Sequence, residues 1–305
     1  MEKKIIMLIQ TLLDALQQAV LFIPLTLGIY LSYRILAITD LTPDGTFVLG
    51  AAIFAHCLAT GHSQLFSIVL ALLGGAVAGI AVCLLQRYAK INSLLASILA
   101  VFMLTSINFG VMGTPNINLL SYDTYLNNLQ SSSTTHFNIF LISIALALTA
   151  GIFLLINSRF GLRLRAFGAN KTLLAKLGKY PTIYLAFGLA LSNMLAALCG
   201  VFTAQVNGYS DIHMGVGMAL TGIGAVVIGC KLTSSLFLRN QHFSLIVDLI
   251  GCFVGTYIYF LIVNLFLLIG LNPIYLKLFL GLVLVLFLAS ASHSKKSYQK
   301  VLFHD

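Results

Sequence analysis

Apolar runs of about 20 residues, the length a helix needs to cross the hydrocarbon layer of a bilayer, recur along this chain. They lie near residues 14 to 37, 46 to 60, 65 to 85, 91 to 110, 137 to 156, 182 to 206, 213 to 230, 243 to 269 and 273 to 290. A backbone in lipid must satisfy its own polar groups, so the runs are expected as helices. Several are short or broken. The expected fold is therefore an all-α polytopic membrane protein with about 8–10 transmembrane or half-membrane helices, two of them interrupted, forming one domain over residues 1–305. Only 8% of residues are charged and 59% are hydrophobic, whereas a soluble domain carries roughly a quarter charged. That balance excludes a soluble enzyme and a nucleic-acid binder, despite the net charge of +9.

The scarce acids limit the chemistry further. Glu2 is the only glutamate, so a zinc-binding His-Glu-x-x-His helix is impossible, and no Gly-x-Ser-x-Gly elbow occurs. Cys57, Cys83, Cys199, Cys230 and Cys252 all stand in apolar runs without a Cys-x-x-Cys pair and read as small core hydrophobes. No catalytic residue, metal site or resident cofactor is expected.

Basic residues set the orientation, because Lys and Arg collect on the cytoplasmic side. Residues 157–181 carry Arg159, Arg163, Arg165, Lys171, Lys176 and Lys179 and no acid, which makes this segment cytoplasmic. Residues 111–136 carry only Asp123 and should face outward. Arg87 and Lys90, Lys231 and Arg239, and Lys295, Lys296 and Lys300 then fall inside, with the C-terminus cytoplasmic. Met1-Glu2-Lys3-Lys4 looks like the start of a signal peptide, but Asp14, Gln17 and Gln18 interrupt its apolar region and no cleavage site follows, so a retained segment is expected. Parity places the N-terminus outside while Lys3 and Lys4 favour inside; one run in the first 50 residues is therefore expected not to cross fully.

The suspect is the polar interruption at residues 38–46. Proline removes a donor and disfavours the helical region for its predecessor, so the first helix should end near Thr42, with Asp44 or Thr46 capping the helix that restarts. A break at membrane depth must bury its freed backbone groups or line a cavity, and its helix N-terminus would favour anionic groups. The competing reading is a surface turn. A second interruption spans 205–213, before the Gly-rich stretch 214–224. Both breaks place aspartate before a Gly-containing apolar helix, and paired breaks in the two halves of a transporter point to its substrate path. The spacings Gly75 to Gly79 and Gly251 to Gly255 allow close helix approach, but among 25 glycines they specify little. Asp248 is either functional within its apolar run or a residue near the cytoplasmic end pairing with Arg239. His56 and His62 flank a short polar loop and are expected to meet headgroups and water.

Within the cytoplasmic segment, Asn170 is a plausible N-cap and Gly178 a plausible left-handed terminus of a two-turn helix whose Leu173, Leu174 and Leu177 form one stripe. That face needs either a protein partner or a lipid surface. The run Arg159-Phe-Gly-Leu-Arg163-Leu-Arg165-Ala-Phe-Gly168-Ala-Asn170, followed by Ala175-Lys-Leu177-Gly178, resembles the coupling loop of ABC-importer permeases of the branched-chain amino-acid and sugar type. Residues 40–52, Asp-Leu-Thr-Pro-Asp-Gly-Thr-Phe-Val-Leu-Gly-Ala-Ala, and the stretch from Ala190 through Asn193, Gly200, Gln205, Gly208, Asp211 and Gly215 to Gly229 are similar to a narrower group, the tryptophan/tyrosine uptake permeases. The chain differs from the usual coupling pattern at Lys171 and Thr172, where an acid is common, and at Lys179-Tyr180-Pro181.

The resemblance implies a bacterial inner-membrane permease that pairs with a second copy, a cytoplasmic ATPase carrying the ATP and Mg, and an extracytoplasmic solute-binding protein. No Walker A motif is present; the nearest approach, residues 224–232, lacks the Lys-Ser/Thr order. It also implies ATPase coupling through Arg163, Arg165, Gly168, Asn170, Leu173, Leu174, Ala175, Leu177 and Gly178. Substrate-path candidates are Asp40, Thr42, Asp44, Asn193, Gln205, Asn207 and Asp211. The rival is a proton- or sodium-coupled carrier using Asp40, Asp44 and Asp248, which leaves the short cytoplasmic helix without a reason.

Overall fold

The computed structural model describes residues 2–170, 180–236 and 244–272, together with single positions 174, 176, 178, 275, 278, 281, 282 and 285. Helix α1 covers Glu2–Ile29 and continues into a π-helical turn, Tyr30–Ile35. Then come α2 (Pro43–Ala59), α3 (Gln64–Tyr88), α4 (Ser93–Met112), the short strand β1 (Asn116–Asn118), α5 (Tyr125–Ser132), α6 (Thr134–Asn157) and α7 (Arg159–Ala169). The described order closes with α8 (Pro181–Asn207), β2 (Tyr209–Asp211), α9 (Met218–Leu236) and α10 (Ser244–Leu268). Among the described residues seven helices are long and apolar enough to span a membrane, and α2 is a shorter apolar helix. The chain is an all-α polytopic membrane protein. The last expected run, 273 to 290, lies outside the described residues except at single positions.

Helix α8 is the axis of the bundle: 67% of its most apolar stretch is buried, against 22% for α6. Small residues let its neighbours approach to backbone contact. A Cβ on Gly50 of α2 would overlap the carbonyl of Ala197, and one on Gly200 of α8 would overlap that of Phe47. The two glycine spacings that specified little in sequence both lie at such contacts. Gly75 and Gly79 face Asn193 and Leu189, and Gly251 and Gly255 face Cys230 and Ala225.

The first break differs from expectation. The helix ends at Ile35, not near Thr42, because the π turn unwinds it: Leu36 N–H donates to Leu31 O and Ile38 N–H to Ser32 O, and Ala37 takes a left-handed φ of 53°. Thr42 keeps a helical φ of −55° and ψ of −29° despite the proline after it. The Asp40 carboxylate holds it there by accepting both its N–H, at 2.9 Å, and its hydroxyl.

The early run that does not span as a helix by itself is α2, which starts only at Pro43 and is shorter than the seven spanning helices. Asp14 of α1 lines a cavity with Asn207, at the far end of α8, whereas Ile35 packs on Gly168 of α7. Helix α1 therefore spans the bundle with its N-terminal half at the end opposite the basic segment. Residues 36–42 climb back as non-helical chain, and α2 completes the return to the end where Gln64 bonds to Asp123 and Tyr125.

The polar segment 111–136 holds β1 and α5. Strand β1 pairs antiparallel with β2, with Asn116 opposite Asp211 and Asn118 opposite Tyr209. Gly208, at φ 73°, makes the left-handed turn from α8 into β2. The expected helix at 213–230 starts later, at Met218, because the chain turns through 212–217 and Gly217 takes φ 85°.

Candidate transport site

Four residues from the two resembling blocks meet around the first break. Asp40, Thr42, Thr46 and Asn193 are all buried. Asn193 Nδ2 donates to Asp40 Oδ2 at 3.1 Å and to the Leu189 carbonyl at 2.9 Å, while its Oδ1 accepts the Thr46 hydroxyl at 2.9 Å. Asn193 lies close to the middle of α8, so the cluster sits near mid-depth of the bundle. A buried carboxylate is costly unless its oxygens are bonded. Asp40 has three donors: the Thr42 amide, the Thr42 hydroxyl and the Asn193 amide.

Neither Asp44 nor Thr46 caps its own helix, contrary to the sequence expectation. Asp44 reaches across to the second interrupted helix instead. Its Oδ1 accepts from Ala219 N at 2.6 Å and its Oδ2 from Gly217 N at 3.2 Å, at the start of α9. A carboxylate there satisfies free amides and opposes the positive end of the helix dipole. Gly215 lies so close that a Cβ would overlap the Asp44 carbonyl. The two breaks thus form one junction. At each restarting helix the protein supplies its own anion, Asp40 at α2 and Asp44 at α9.

A cavity of about 530 Å³ opens at the end of the bundle that carries the β strands, between α1, α6, α8 and α10. Of the substrate-path candidates only Asn207 lines it. Gln205 is buried and accepts from Leu126 N at 3.3 Å, fastening α5 to α8. Asp211 lies in the strand pair, where its Oδ1 accepts from His213 N at 2.7 Å. Sequence reasoning missed the other polar lining: Asp14, Gln17, Gln18, Thr203, Tyr209 and Asn264. The signal was available, because Asp14, Gln17, Gln18, Leu21 and Phe22 follow the i, i+3, i+4, i+7, i+8 stripe of one helix face. They read only as interruptions of an apolar run. Met214 and Met218, beside the Asp44 junction, also line the cavity.

At the opposite end, α7 is a separate helix that the sequence reading did not anticipate. Ser158 caps it by accepting from Gly161 N at 3.1 Å, and Leu164 and Phe167 are buried. Arg163 is exposed, Arg165 is half-buried, and Asn170 ends the helix in an extended conformation. A Cβ on Gly168 would overlap the Ile35 carbonyl, so α7 touches the last turn before the first break. Leu174 is helical and buried, Lys176 is helical and exposed, and Gly178 takes φ 67°. Leu173, Ala175 and Leu177 lie outside the described residues.

Asp248 faces Arg34, with Oδ2 3.7 Å from Nε. Arg34 is not the expected partner; that residue, Arg239, lies outside the described residues. His62 is exposed, bonded to the Thr60 hydroxyl at 2.9 Å and stacked on Phe66. All five cysteines are free and buried.

A bundle of membrane-spanning helices, two of them restarting at a shared junction beside a polar-mouthed cavity, defines a multi-pass transport permease. The chain belongs to the branched-chain amino acid transport system permease family, whose profile matches residues 11–288. It is 45% identical over 282 residues to an uncharacterized protein of Rickettsia prowazekii (strain Madrid E), covering 92% of this chain and 97% of that one. It is 31% identical over 283 residues to a tyrosine transport system permease protein of Clostridioides difficile (strain R20291), covering 92% and 91%. No solved structure matches the chain.

Proposed function

We propose that this chain is the membrane-spanning subunit of an ATP-driven importer for an amino acid, aromatic or branched-chain. In this reading residues 1–305 form one permease domain, two copies pair in the inner membrane, and the C-terminus is cytoplasmic. Segment 157–181 receives force from a separate cytoplasmic ATPase that binds the ATP and Mg. An extracytoplasmic binding protein delivers solute to the mouth beside β1 and β2. Family membership and the likeness to a tyrosine transport permease support the solute class.

The observation that carries the coupling is continuous contact between the two ends. Gly168 of α7 packs on the Ile35 carbonyl; the following chain is held by Asp40 to Asn193; and Asp44, two residues into α2, caps α9 beside the cavity. Movement of α7 would displace the junction, which gives alternating access a physical route. Uptake of labelled tyrosine by cells expressing the permease with its genomic neighbours, with an uncoupler present and cellular ATP held constant, tests the reading. Persistent uptake supports it; collapse returns the function to an ion-coupled carrier.

A further inference from the structure

The cavity is graded along its length. Among the described residues Asp14, exposed at the mouth, is the one acid lining it, and no Lys, Arg or His does so. One helical turn deeper, about 6 Å along α1, stand the amides of Gln17 and Gln18. Asn264 Nδ2 donates to Gln18 Oε1 at 3.0 Å, which ties α10 to α1 and leaves the amide hydrogens of Gln18, a lining residue, without a hydrogen-bond partner among the described residues. Among the described residues the side chains of Gln17 and Asn207 have no hydrogen-bond partner, and Asp14 has no ion pair. A further turn down, Phe22 meets Phe260 with centroids 4.8 Å apart and planes inclined by 49°.

We propose that this cavity binds a zwitterionic α-amino acid with an aromatic side chain, its ammonium on Asp14, its carboxylate on the amide hydrogens of Gln17, Gln18 and Asn207, and its ring against Phe22 and Phe260. The proposal rests on the reading of the chain as an amino-acid permease and adds the recognition chemistry. The order of groups decides the class. An anion lacking an ammonium would meet Asp14 and find no cation, and an uncharged sugar or nucleoside would leave Asp14 unpaired. A carboxylate needs donors, which the amides supply, and the ring gains from edge and face contacts with the two phenylalanines. The volume of about 530 Å³ lies in the range of small-molecule sites.

The chain contains no tryptophan, so L-tryptophan added to the purified full-length permease in detergent micelles reports its own binding by emission shift and anisotropy. L-tryptophan should bind, tryptamine more weakly, and indole-3-propionate, which lacks the ammonium, about tenfold more weakly or worse. Asp14→Asn should weaken L-tryptophan about tenfold with thermal unfolding unchanged, and Asp14→Glu should restore it. Equal binding of indole-3-propionate and L-tryptophan, an unaltered Asp14→Asn variant, or no binding of either L-tryptophan or competing L-tyrosine would overturn the site. Cell uptake separates this from the permease reading. Amino-acid uptake unchanged in Asp14→Asn sinks the site alone; a wild type that imports no amino acid sinks both.

Discussion

Asp44 and Ala219 stand 175 residues apart in the chain, yet the carboxylate of the first accepts the amide hydrogen of the second at 2.6 Å. The first residue opens α2 and the second opens α9, so one charge fixes the relative position of both restarting helices. Asp40 performs the matching task at α2 and is itself held from α8 by Asn193. The acids that sequence reading assigned to a solute path are, in the structure, committed to protein amides. The solute-sized space lies beside them.

Replacing Asp44 should loosen this junction. Asp44→Ala removes both acceptors and should lower stability by about 1–2 kcal/mol, the size of an N-cap loss, with Asp44→Asn intermediate. Thermal unfolding in detergent measures the first effect. Tyrosine uptake at equal membrane abundance should fall in the same order.

The pair Asp40 and Asn193 should be strongly non-additive. Asn193→Leu leaves the Asp40 Oδ2 without its buried donor, a cost of about 1–3 kcal/mol, while the Thr46 hydroxyl keeps the Thr42 carbonyl as acceptor at 3.3 Å. Once Asp40→Ala has removed the charge, the same substitution at Asn193 should cost less. A double-mutant cycle on unfolding free energy should give a coupling of about 1–3 kcal/mol; a value near zero would remove the network from the account.

At the end that carries α7, buried and exposed positions should separate. Leu174 stands in the core, so Leu174→Asp should unfold or deplete the permease itself rather than merely release a partner. Arg163 is exposed on α7, and Arg163→Glu should reduce ATPase co-purification with unfolding temperature unchanged. Equal retention of the ATPase by this variant would place the docking surface elsewhere.

Gly168→Val should force α7 away from Ile35, an overpacking cost of about 1–3 kcal/mol. If α7 carries motion to the break, uptake per ATP hydrolysed should fall, while Gly110→Ala, where a Cβ meets nothing nearby, should leave both stability and uptake unchanged.

The spans were legible because a bilayer demands length and apolarity, and both are local properties of sequence. The breaks were legible as polar interruptions of apolar runs, but not their cause at the first one, where the π turn at Tyr30–Ile35 ends the helix and Thr42 stays helical before Pro43. Nor was what joined them. Asp44 looked like a cap for its own helix because capping is ordinarily local, and nothing near it in sequence names Gly217 or Ala219. The stripe at Asp14, Gln17 and Gln18 was visible but ambiguous, since its meaning depends on Asn207 and Asn264 arriving opposite it. Helix α7 was hidden inside a segment read mainly for its charge. Its pattern of Phe160, Leu164 and Phe167 marks a helix face once Ser158 is taken as the cap.

The central claim is that ATP hydrolysis outside this chain drives solute through it. Its most direct test is uptake of labelled tyrosine into proteoliposomes holding the purified permease and ATPase, with the binding protein outside and no ion gradient. Accumulation is expected only with ATP and Mg on the ATPase side, and is lost in Gly168→Val. Accumulation driven by a proton or sodium gradient without ATP would contradict it.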